Sequence, residues 1–248
     1  MKRVALLALF LALTATSARA SGMNVSWTEC GAAGTSNRIF ACNSNVGSHS
    51  MVVSFVPPIG ITNLTGLRAI LHLRSAAANW QDWWRFDASS CRSGSLTIDP
   101  DFAGFCTNAW AGQGTGDWSQ AIAPGSFSEM TITVNISLPP GQGRTLSSEV
   151  EYTAFKLMID DMKTVGTQAC GGCATPVCIF LDQIRFFQPN AFGGDYVMCN
   201  AEGRDFMSWE SGAGVPGGCP GTDSAPPPYC QTTGSARRTW GTIKSIYR

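Results

Sequence analysis

Charge is scarce in this sequence. Only 14% of the 248 residues are charged, 17 bases stand against 17 acids, and two residues are histidine, His49 and His72. A chain with no basic excess and scattered bases is not built for nucleic acid as its main partner. Two histidines and no G-x-S-x-G turn leave a Ser-His-Asp hydrolase poorly supported. No EF-hand loop occurs. The stretch Gly112-Gln113-Gly114-Thr115-Gly116 lacks the lysine and Ser/Thr of a phosphate loop. There is no internal repeat and no long amphipathic helical pattern before the last ten residues. Beyond the first twenty residues no apolar run is long enough for a transmembrane helix.

What is present begins with an export signal over residues 1–20. Lys2 and Arg3 precede the apolar run Val4–Leu13, and Ala18-Arg19-Ala20 is a small-x-small cleavage site. The run is short for a span, so a cleaved signal is expected over a membrane anchor, and the mature chain is expected to be secreted. Cleavage after Ala20 takes Lys2, Arg3 and Arg19 away, so 17 bases fall to 14 against 17 acids, a net charge of −3. Ser21 and not a cysteine would stand at the new N-terminus, so no lipid anchor is expected there.

Ten cysteines lie beyond that site: Cys30, Cys42, Cys91, Cys106, Cys170, Cys173, Cys178, Cys199, Cys219 and Cys230. An even count in an exported chain reads as disulfides. Closeness in sequence suggests two pairs, Cys30 with Cys42 and Cys91 with Cys106. Each would close a short loop worth about 3 kcal/mol in the loop-entropy view. Spacing leaves the other six open. The cluster Cys170-Gly-Gly-Cys173-x4-Cys178 has the form of a redox C-x-x-C or half a zinc site. However, it precedes the strand-like Val177–Leu181 rather than opening a helix, and both histidines are far off in sequence. Structural disulfides are the expected use.

Strand patterns dominate. Met130, Ile132, Val134 and Ile136 alternate with Thr131, Thr133, Asn135 and Ser137, the clearest period-2 run in the chain. Leu67, Ala69, Leu71 and Leu73 line one face of another strand, with Arg68, His72 and Arg74 on the other. Residues 51–56, 152–162 and 177–187 are further candidates, and Pro-Gly turns fall between the runs. The expected fold is all-β, an antiparallel β-sandwich of residues 21–188, reinforced by disulfides. Residues 189–238, rich in Gly, Pro, Ser and Thr, read as an irregular appendage pinned by Cys199, Cys219 and Cys230. In residues 239–248, Trp240, Ile243 and Tyr247 share one face of a short terminal helix, either docked on the body or an export or attachment signal.

The strongest candidate for a binding surface is Trp80-Gln81-Asp82-Trp83-Trp84-Arg85-Phe86. Trp80, Trp83 and Trp84 offer ring faces on which sugars stack, and Asp82 and Arg85 offer hydrogen bonds to hydroxyls. The competing reading is core. Trp83 and Trp84 are adjacent, so on a strand they would point to opposite faces and at least one would be buried. Trp110 and Trp118 flank the glycine-rich loop, as a second rim or as anchors of a surface turn. Asp99, Asp101, Asp160 and Asp161 are candidate calcium ligands, with solvated or turn-forming acids the default. A cysteine nucleophile would need a thiol left out of an even count.

Several fragments carry a resemblance: Trp27-Thr28-Glu29-Cys30-Gly31, Phe40-Ala41-Cys42-Asn43, residues 170–179 and residues 239–248. Together they resemble a group of short secreted bacterial proteins without an assigned function, which implies an extracytoplasmic location and brings no catalytic residues. Locally, residues 179–186 are similar to the closing strand of jelly-roll carbohydrate-binding modules, where an aspartate sits between apolar residues. That implies a jelly-roll sandwich and, by fold analogy, sugar binding. The function expected from all this is non-catalytic binding of a glycan or another cell-envelope component. Surface assembly is the alternative, and a secreted hydrolase carries little weight.

Overall fold

The structure is a computed structural model that describes residues 22–57, 60–122, 128–199, 205–215 and Cys219. The export signal, Cys230 and the terminal helix expected over residues 239–248 lie outside the described residues. No helix among the described residues is long and apolar enough to cross a membrane.

The architecture is a β-sandwich of two sheets. The smaller sheet has five strands: β1 (Gly22–Trp27), β3 (Ser48–Val56), β9 (Tyr152–Asp160), β5 (Leu96–Asp99) and β6 (Thr107–Asn108). The larger sheet has seven: β2 (Asn37–Arg38), β12 (Phe206–Trp209), β10 (Val177–Phe187), β4 (Gly66–Ser75), β8 (Glu129–Ser137), β7 (Thr115–Ile122) and β11 (Tyr196–Cys199). All pairings are antiparallel except β6 with β9 and β2 with β12. The eleven residues of β10 let two short strands share one edge in series, β12 along Val177–Phe180 and β11 along Gln183–Phe186.

Period-2 alternation explains the core. Leu67, Ala69, Leu71 and Leu73 of β4 and Met130, Ile132, Val134 and Ile136 of β8 are buried, as their spacing predicts. They face Met51, Val53 and Phe55 of β3 and Phe155, Leu157 and Ile159 of β9. The two layers meet directly at Phe55 and Phe186, whose ring centres are 4.9 Å apart. In β3 both faces are buried from Met51 to Val56. Ser54 on its outer side bonds Asn24 and Glu151 beneath the segment that Cys30 anchors.

The disulfides correct both expected pairings. Cys30 joins Cys106, Cys42 joins Cys173, Cys91 joins Cys170 and Cys178 joins Cys219, across sequence separations of 76, 131, 79 and 41. Sequence neighbours leave the sandwich at different places, and each finds its partner in a distant segment that the sheets bring alongside. Cys170 and Cys173 bond to different partners, so the C-x-x-C is not a redox pair. Cys199 is also disulfide-bonded, and no described cysteine is free. Four bridges mark an oxidising, extracytoplasmic compartment.

The stretch after Gln188 is less irregular than its composition suggests. Its strands β11 and β12 complete the larger sheet, and Trp209 lies at the centre of the core.

Candidate functional site: the open face of the larger sheet

The tryptophan run is core, which corrects the expectation of an exposed platform. Asp82–Trp84 form a single 3-10 turn rather than a strand, so the rule of opposite faces does not apply and both indoles turn inward. Trp80, Trp83 and Trp84 are all buried. Trp83 and Trp84 pack on Trp209 with ring centres at 4.9 and 5.3 Å. Trp83 donates its indole N–H to the Thr164 hydroxyl at 3.0 Å.

Arg92 lies under this cluster, fully buried, with its guanidinium 3.8 Å from the Trp83 ring centre. It donates to the carbonyls of Trp83, Met162 and Asp160. Burial pulls its pKa from 12.5 down to about 10, against the opposing pull of Asp160 and Asp161. It is a charged staple inside the fold. Asp82 and Arg85 stay at the surface, 3.6 Å apart in a loose ion pair. Trp110 is buried, and Trp118 belongs to β7, so the glycine-rich stretch is an entry to a strand rather than a site rim.

The acids proposed for calcium are dispersed into local contacts. Asp99 pairs with Lys156 at 3.1 Å, Asp161 with His49 at 2.8 Å and Asp160 with Arg92 at 3.5 Å, while Asp101 accepts from the Gly114 N–H. No group of three or more metal-ligating side chains occurs among the described residues.

Chemistry that faces outward gathers instead on the outer face of the larger sheet. Residues there alternate with the core rows: Arg68, Ile70, His72 and Arg74 from β4, and Glu129, Thr131, Thr133 and Asn135 from β8. Strand β10 adds Phe180, Arg185 and Phe187. A β-bulge between Leu181 and Gln183 sets two residues of β10 against one of β4. Asp182 lies at this bulge, two residues after Phe180 and on the same face, with its carboxylate oxygen 3.7 Å from His72 Nε2, and the bulge adds Gln183 to the face as well.

His72 is the hub of this patch. Its Nδ1 is 3.3 Å from the Thr131 hydroxyl. Its ring lies nearly parallel to that of Phe180, 19° between planes and 5.2 Å between centres. Arg74 reaches toward Phe180, 6.0 Å from the ring centre, and donates to Glu129 at 2.9 Å. Arg68 donates to Asn135 at 2.8 Å. Each guanidinium has five donors, so one such bond leaves most of them for other acceptors. The patch is preorganised by cross-strand pairing and is amphipathic.

Sequence reasoning placed His72 on a surface with arginines but gave it no role. The pairing of Asp182 with His72 has no sequence signature, because it is defined by the register of β10 against β4.

No protein family profile matches the chain, and no curated protein does. Among solved structures it is similar to the cohesin module of a family 33 glycoside hydrolase from Clostridium perfringens. That similarity has 7% identity, covers 76% of this chain and 94% of that one, and has a TM-score of 0.34. It is also similar to the second type II cohesin module of the adaptor ScaA scaffoldin of Acetivibrio cellulolyticus. There the identity is 8%, the coverage 71% and 82%, and the TM-score 0.31.

Proposed function

We propose that this chain is a secreted, non-catalytic binding module that holds an extended, hydroxyl-rich polymer, a glycan of the cell envelope, on the open face of its larger sheet. The observation that carries this reading is the patch around His72. A stacked imidazole–phenyl pair, a carboxylate at a bulge and two arginines share one face of the sheet. Small ligands are usually taken in concave pockets that bury most of their surface. An outward sheet face suits a long polymer that makes several modest contacts, since groups borne on paired strands need little ordering on binding.

Catalysis is the weaker reading for the same patch. Thr131, His72 and Asp182 have residue types found in hydrolytic triads, but 3.7 Å between His72 and Asp182 is too long for a hydrogen bond. An open face also does not exclude water.

The test is calorimetric titration of the oxidised mature chain with a panel of soluble polysaccharides. Saturable binding is expected, and Phe180→Ala and Asp182→Asn should each weaken it at least tenfold without lowering the melting temperature by more than a few degrees. Absence of binding across the panel, or binding indifferent to both changes, overturns the reading.

A further inference from the structure

We infer that two copies of this chain join edge to edge through β7, continuing the larger sheet across a two-fold axis. Strand β7 pairs with β8 along all eight of its residues and ends the sheet on that side. Beyond β8, no described backbone or side-chain group hydrogen-bonds to the backbone of Thr115–Ile122, so among the described residues its outward N–H and C=O groups form a continuous unpaired ladder. Such an edge is a template for another strand, and folded proteins blunt it with lysine, proline, a bulge or a cover. Strand β7 has no lysine, proline or bulge, and no covering strand among the described residues: its sequence is Thr-Gly-Asp-Trp-Ser-Gln-Ala-Ile, with Asp117 its one charge, and its register against β8 is unbroken.

The remaining edges contrast with it. Residues Met23–Trp27 of β1 are buried, and the Trp27 N–H is taken by the Thr35 carbonyl. Strand β2 is two residues long, and β5 and β11 are four each.

A second copy fits this edge in a definite way. A two-fold axis perpendicular to the sheet keeps every residue on its own face, so the axis must pass through one residue of β7. An axis through Asp117, the only charged residue of the strand, would set two carboxylates face to face. An axis through Ser119 avoids this. Asp117 then faces Ala121 of the second copy, Trp118 faces Gln120, and Gly116 faces Ile122. Ile122 is a large apolar side chain left 47% exposed. At Gly116 a Cβ would lie only 3.0 Å from Ile98 and 3.3 Å from Ile136. The edge is therefore apolar there and offers Ile122 of the second copy a seat. The same edge on both partners makes the contact closed, so it yields a dimer and not a fibre.

The test is sedimentation equilibrium of the oxidised mature chain from micromolar to millimolar concentration. A monomer–dimer equilibrium is expected. Ser119→Lys, which sets two ammonium groups opposite each other on the axis, should weaken it at least tenfold. Ser93→Lys, at an exposed position away from the edge, should leave it unchanged. Ala121 supplies a signed check that does not depend on loss of fold: Ala121→Glu, facing Asp117, should weaken the dimer, and Ala121→Lys should tighten it. A monomer over the whole range overturns the inference, as does a dimer indifferent to Ser119→Lys or one in which both Ala121 variants shift the same way.

Discussion

Truncating Trp83 to alanine removes an indole that has no exposed surface, bonds Thr164 and covers the face of a buried guanidinium. Large aromatic-to-alanine changes in cores cost about 3–5 kcal/mol. A desolvated cation–π contact contributes up to about 2 kcal/mol more. Together these predict a loss of about 5 kcal/mol, a large share of the roughly 5–15 kcal/mol that holds a domain folded. The assay is guanidinium titration of the oxidised mature chain, followed by far-UV circular dichroism because the indole itself is lost. With a slope of about 4 kcal/mol per molar, the midpoint should fall by about 1 M. Asp82→Ala is the matched control. Its side chain is 61% exposed, and its change should stay within about 0.5 kcal/mol. A Trp83→Ala midpoint within about 0.2 M of wild type, at that slope, would refute the assignment of this run to the core.

Other outcomes follow from the same structure. Arg92→Met leaves the Trp83 and Met162 carbonyls without their donor and should cost about 3 kcal/mol by the same titration; a neutral result would show that the staple adds nothing. Peptide mapping without reduction should recover Cys30–Cys106, Cys42–Cys173 and Cys91–Cys170, and recovery of Cys30–Cys42 or Cys91–Cys106 would contradict the fold. Replacing both Cys91 and Cys170 by serine opens a loop of 79 residues and should cost about 4 kcal/mol in thermal or chemical unfolding. Burial raises the Asp205 carboxyl above its usual 3.8, so the folded state keeps this proton to higher pH than the unfolded chain does. Its contribution to stability therefore falls as pH rises through the carboxylate range. Asp205→Asn should be more stable than wild type at pH 7, with the gap closing toward pH 3; a less stable variant at pH 7 would falsify this sign.

Much of the fold was legible in the chain because β-strands write their two faces as alternation. The rows of β4 and β8 needed only that rule, whereas β10 shows as a strand by its apolar run although a bulge breaks its alternation. Strand β1 carried the same signal, with Met23, Val25 and Trp27 inward and Asn24 and Ser26 outward, though no strand was read there. Strand β7 carries no clear strand signal because glycine, aspartate and glutamine interrupt its apolar row. An edge strand can tolerate this, since only one side of it is paired and its outer row faces water. The aromatic run misled for a local reason. Its tryptophans sit on a 3-10 turn, where neighbours need not diverge, and they close over Arg92 and Trp209.

By itself the sequence determined the compartment implied by cysteine usage, the all-β class and the inward rows of the long strands. All of these are short-range: composition, spacing and period can be read without knowing what lies across the sandwich. The tertiary structure alone decided which cysteines meet, which aromatics are buried, and where polar chemistry reaches the surface. Disulfide partners lie up to 131 residues apart, and the patch at His72 exists because three strands and one bulge bring Arg74, Thr131, Phe180 and Asp182 together. Those juxtapositions depend on strand order and register, which follow from burying both sheets against each other at once and are written in no single segment of the chain.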